Sequence, residues 1–144
     1  MDREALMALA ERAEKATGPD RELDWLIAEA VGEVPAHSIR TIGFDYDWYR
    51  KPDEWMLWRA KDSEGRSVET WTPKKRTASI DAATTLVPEG LKFEVTTTGY
   101  KPGATVCGNI LTGVHEVSYA ATPASALTAA ALRAHAATSE GSAS

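Results

Sequence analysis

The residues best suited to covalent chemistry are Cys107, the one cysteine of the 144-residue chain, and the histidines His37, His115 and His135. A thiol beside an imidazole can act as a nucleophile with its base, so the first question is whether Cys107 and His115 meet. If Thr112-Gly113 is a two-residue hairpin turn, Ile110 opposes His115 and Cys107 opposes Ser118. Side chains alternate along a strand, so this register sends Cys107 and His115 to opposite faces, unless a bulge intervenes. The expectation is a small structural cysteine with no base beside it.

Metal and phosphate chemistry find no better footing. The histidines show neither His-x-His nor His-Glu-x-x-His spacing, and one cysteine cannot build a thiolate-rich centre, so no metal and no cofactor are expected. Asp45, Asp47 and Asp53 with His37 carry acid–base groups at spacings that constrain nothing. The turn "GYKPG" is not followed by the helix N-terminus that a phosphate loop needs. No catalytic residue is assigned, and a non-enzymatic protein is expected.

Binding chemistry is better represented. Phe44, Tyr46, Trp48, Tyr49, Trp55 and Trp58 crowd a short stretch, interleaved with Asp45, Asp47, Arg50, Lys51 and Arg59. Exposed, such rings supply stacking planes and interface anchors; buried, they are cross-strand packing. Tyr46, Trp48 and Tyr49 fall in an apparent loop with polar neighbours, which favours contact with a partner, whereas Trp55 and Trp58 favour packing. Trp71 and the basic run Lys74, Lys75 and Arg76 form a second candidate, a ring beside cations that could meet a phosphate.

The elements that would position these groups follow from periodicity. "DREALMALAERAEKAT" predicts a helix with Leu6, Leu9 and Ala13 on one stripe, ended by Gly18. "GPDRELDWLIAEAVG" predicts a second, with Pro19 in its first turn, Leu23, Leu26, Ile27 and Ala30 buried, and Gly32 closing it. Residues 33–53 read as an irregular connection. "EWMLWRA" and "RSVETW" predict a hairpin around "KDSEG". In "SIDAATTLVPEG", Ser79 caps a short helix, Asp81 complements its dipole and Pro88 stops it. "LKFEVTTT", "ATVCGNIL" and "VHEVSYAA" predict an antiparallel meander. There Leu91, Phe93 and Val95 share one face and Val106, Ile110, Val117 and Tyr119 another, both packed on helices, while Lys92, Glu94 and Thr96 form a polar face. Thr122 caps and Pro123 opens an alanine-rich C-terminal helix, with 141–144 a frayed tail.

Composition bounds the rest. The length suits one α+β domain, residues 1–140. A net charge of −5 and a pI near 5.2 oppose general attraction to phosphate backbones, so nucleic acid is an unlikely partner. No apolar run approaches the roughly 20 residues of a membrane span, and the charged start "MDREALMALAERAEK" does not read as a secretory signal. A cytoplasmic protein is expected.

The pattern Ser79-x-Asp81-Ala82-Ala83, Leu86 to Gly90, a small antiparallel sheet, then Ala121 to Ala134 resembles the uncharacterised prophage proteins called the phage ABA sandwich domain. "TGPDRELDWLIAEAVG" is similar to that family's leading helix, and the resemblance covers residues 17–137, preceded by a further helix in 1–16. It implies a layered α/β/α sandwich and a phage or prophage origin, in a variant like those of alphaproteobacterial hosts. No activity comes with it. The function expected is therefore that of a phage accessory protein binding a host or phage protein, or a second copy of itself, through the aromatic segment. The alternative is a binder or sequestering protein for a nucleotide-like ligand acting against host defence, with Trp71 and the basic run as its site.

Overall fold

The computed structural model describes residues 2–35, 47–54, 56–97, 99–109 and 113–142. Tyr46, Trp55, His37, Phe44, Asp45 and Ile110 lie outside them. The chain is a mixed α+β fold with elements α1 (Arg3–Lys15), α2 (Arg21–Ala30), β1 (Asp47–Tyr49), β2 (Trp58–Lys61), β3 (Ser67–Trp71), α3 (Ile80–Thr84), β4 (Lys92–Thr96), β5 (Gly103–Cys107), β6 (His115–Tyr119) and α4 (Pro123–Ser142). The strands form two antiparallel three-stranded sheets in the orders β1-β2-β3 and β4-β5-β6.

Helix α4 is the centre of the molecule. From Ala124 to Leu132 every residue is buried, because α1 packs along one side and β4-β5-β6 along the other. A helix covered on all sides must be apolar all round, and alanine lets both neighbours approach closely. Thr122 caps it as expected, accepting the N–H of Ser125 at 3.1 Å. The core joins Leu6, Ala10 and Ala13 of α1, Leu23 and Ile27 of α2, Ala104 and Val106 of β5, and Leu127 and Leu132 of α4. Arg133 and Glu14 tie the half-buried rim of the α1–α4 seam with an ion pair.

Three local expectations are corrected. In α2 the cap is Asp20, whose carboxylate accepts the Leu23 N–H at 3.0 Å, so Pro19 precedes the helix rather than opening it. A strand, β1, occupies Asp47–Tyr49 in place of the irregular connection expected there. Three residues are too few to show a period of two, and pairing with β2 creates the strand.

The third correction concerns the meander. Gly108 donates to the Val114 carbonyl at 3.0 Å, so pairing on β6 resumes at Val114; Leu111 and Thr112 of the expected turn lie outside the described residues. Cys107 therefore pairs with His115 and Ala104 with Ser118. The displacement is an odd number of residues, which reverses every face assignment on β6. Val106 is buried against α4, but Val117 and Tyr119 point the other way and are exposed. Lys92, Glu94 and Thr96 share that outer face through their pairing with Cys107, Thr105 and Gly103. Among the described residues, helices cover one face over β5 and β6, leaving Phe93 of β4 exposed rather than packed, and leave the other face open.

Candidate functional site

The aromatic residues and the basic run sit on or near β1-β2-β3. The register places Trp48 opposite Ala60 and Trp58 opposite Trp71, so Trp48, Trp58, Ala60 and Trp71 share a face. Ala60 is fully buried among these half-buried rings. Trp25 of α2 meets Trp71 edge to face, with centroids 6.1 Å apart and planes at 65°, a favoured aromatic geometry. The tryptophans thus join the first sheet to the helical core. The Trp58 indole N–H is buried without a partner among the described residues.

Tyr49 lies on the opposite face, half-buried, with the Lys61 ammonium 5.5 Å above its ring centre. On the same face, Arg59 donates Nε and Nη2 to the two oxygens of Glu54, both at 3.0 Å. These hydrogen bonds, with the guanidinium charge, hold the Glu54 carboxyl below its ordinary range and raise Arg59.

The basic run does not form one surface. Lys74 and Lys75 are exposed, but Arg76 is completely buried, which corrects its assignment as a phosphate contact. Its Nη2 donates to Glu33 Oε1 at 2.6 Å and Thr85 Oγ1 at 3.2 Å, and its carbonyl accepts the Thr128 hydroxyl at 3.0 Å. It joins α3 and α4 to the segment after α2. A neighbouring clip escaped sequence reading altogether. Asp24, fully buried on α2, accepts from Thr77 and from Arg21. Its position on the apolar side of α2, one residue after Leu23, was the available signal.

Ser79 caps α3, accepting the Ala82 N–H at 3.3 Å, and Asp81 lies exposed in the first turn. Both have the structural roles their positions suggest. His135 of α4 is held at 2.6 Å from the Leu86 carbonyl oxygen, so its Nε2 carries the proton and donates. Burial holds this imidazole below its ordinary pKa, the Leu86 carbonyl opposes that effect, and the Arg76 charge adds to it.

A further open ensemble is the outer face of β4-β5-β6, where Lys92, Glu94 and Thr96 form the expected polar face and Val117 and Tyr119, expected against helices, join them. Its rungs are Lys92–Cys107–His115, Glu94–Thr105–Val117 and Thr96–Gly103–Tyr119. Cys107 and His115, expected on opposite faces, are thus direct cross-strand neighbours. The Gly108–Val114 hydrogen bond makes theirs a non-hydrogen-bonded pair, with Cα atoms about 4.5 Å apart. No hydrogen bond joins the thiol and the imidazole. Among the described residues no group of three or more His, Cys, Asp or Glu side chains is arranged to hold a metal ion.

At the other end of this face the Tyr119 ring rests against Gly103 of β5. A Cβ on Gly103 would stand 2.9 Å from its ring, so only glycine leaves room. The outward side of the ring remains open, and Tyr119 is 58% exposed. Tyr100, in the preceding turn, is fully exposed. With Thr96, Lys101, Thr105 and Val117, the two tyrosines line a groove of about 560 Å³ whose lining is mostly apolar. Among the described residues of that lining, Lys101 is the only charged one. A concave apolar surface with one placed cation is suited to binding rather than bond making.

Compared with family models, with characterised proteins and with solved structures, the chain matches none of them.

Proposed function

We propose that the chain is a phage- or prophage-encoded accessory protein, non-enzymatic, that binds a host or phage protein through the outer face of β4-β5-β6. The observation that carries this reading is the pair Tyr100 and Tyr119, presented on a sheet face that no described element covers. Apolar surface left in water is a standing cost, and a patch of large rings on an otherwise polar exterior is characteristic of a contact surface. Tyrosine suits this task, since it buries much area while ordering few torsions. The phage setting rests on the sequence resemblance, and a cytoplasmic location accompanies it. No helix among the described residues is long and apolar enough to cross a membrane.

Of the aromatic segment, Trp48 and Trp58 have another use. Trp48 and Trp58 cover Ala60, and Trp71 meets Trp25, so this face is occupied by the protein's own packing. The test is cross-linking mass spectrometry of the full chain in its host, comparing wild type with Y100A/Y119A. A defined partner cross-linked through Lys101 or Lys92, lost in the variant at unchanged melting temperature, supports the reading. Cross-links that survive the double substitution overturn it.

A further inference from the structure

The chemistry of the partner follows from how charge is distributed over the open face, and this inference rests on the binding reading above. Although the chain carries a net charge of −5, the outer face is bracketed by two lysines. Lys101 lines the groove beside Tyr119, and Lys92 stands on the far rung with Cys107 and His115. Both are exposed, and neither has a carboxylate partner among the described residues, whereas Arg12, Arg21, Arg59, Arg66, Arg76 and Arg133 are all ion-paired. Between the lysines lie Val117, Thr105 and, on the outer strand, exposed Glu94. A carboxylate set down in the middle of the face would meet Glu94; one at either end would meet a lysine.

We infer that the open face takes an extended acidic segment of a partner protein, with apolar side chains over Tyr119 and Val117 and a carboxylate at each end. The segment's length is set by the strands. The terminal rungs are four residues apart along β4, Lys92 to Thr96, which is about 13 Å at the usual rise of about 3.3 Å per residue. Lys101 precedes Gly103 of the last rung by two residues, so two acidic residues separated by at least about three others match the lysines. Glu94 excludes segments whose acids are central, so it supplies discrimination while the lysines supply attraction.

The experiment is selection of binders from a random twelve-residue peptide library against the full chain, followed by fluorescence polarisation of the enriched peptides. The expected result is enrichment of acidic–apolar–acidic sequences whose affinity falls at least about tenfold in K92E and in K101E. Exchange of the corresponding acid for lysine should restore binding to the K101E variant. Enriched peptides that are basic or uncharged, yet depend on Tyr119, would overturn this chemistry while leaving the binding surface in place. Enrichment with no dependence on Tyr100 or Tyr119 would overturn both. Preferential binding of a single-stranded oligonucleotide used as competitor would also overturn it, since the same lysines and rings would then serve phosphates and bases.

Discussion

Asp24 and Thr77 lie more than fifty positions apart in the chain, and the buried Asp24 Oδ1 accepts both the N–H and the hydroxyl of Thr77, each at 3.0 Å. The second carboxylate oxygen accepts from Arg21 at 2.9 Å, and the Thr77 hydroxyl oxygen in turn accepts the Asp20 N–H at 2.8 Å. The clip holds the start of α2 to the segment leading into α3. T77V removes the hydroxyl and leaves the Asp20 N–H without its acceptor, which should cost about 1–3 kcal/mol. T77S keeps the hydroxyl and should cost only about 0.8 kcal/mol for one lost methyl. Urea denaturation separates the two; equal losses would remove the clip from the account of stability.

The Cys107–His115 pairing makes a direct prediction about geometry. Non-hydrogen-bonded antiparallel pairs bring Cα and Cβ atoms within disulfide range. H115C should therefore oxidise to an intrachain disulfide with Cys107, detected by a mass loss of about 2 Da and by resistance to alkylation. S118C should not, because Ser118 pairs with Ala104 and points to the buried face. The opposite pattern would restore the register with a two-residue turn.

His135 predicts a pH dependence. Its folded pKa lies below the ordinary value, mainly through burial, so below that value the unfolded chain binds more protons than the folded one. Its contribution is fully present above about pH 6.5 and is lost as pH falls towards the folded pKa. Wild type should lose more stability between pH 7.5 and pH 5 than H135Q, measured by urea denaturation at each pH. Parallel curves would show that burial does not select the neutral ring.

Gly103 and Tyr119 should behave as a coupled pair. In G103A the new methyl must tilt the ring off the strand, since it would otherwise stand 2.9 Å from a ring carbon. With Tyr119 replaced by alanine the same change meets no ring and benefits from the lower backbone entropy of alanine. A double-mutant cycle should therefore give a coupling of about 1 kcal/mol. Additivity would mean that the ring does not rest on Gly103.

What the sequence determined by itself was local. The caps at Ser79 and Thr122, the β2–β3 hairpin, the meander and part of the α1 and α2 stripes (Leu6, Ala13, Leu23 and Ile27 are buried, Leu9, Leu26 and Ala30 half-buried) were legible because each depends on residues within a turn or two of one another. The three-residue β1 was not, since its conformation comes from pairing with β2. Tertiary structure alone decided which side of β6 faces inward. The pairing that resumes at Val114 shifted β6 by an odd number of positions, put His115 beside Cys107 and turned Val117 and Tyr119 to the open face. Burial of Arg76 and Asp24 was equally hidden, because a charged side chain can enter the core only where distant groups such as Glu33 and Thr77 arrive to compensate it. Spacing along the chain encodes the period of a helix or strand; the register between strands and the partners of a buried charge exist only once the chain has closed on itself.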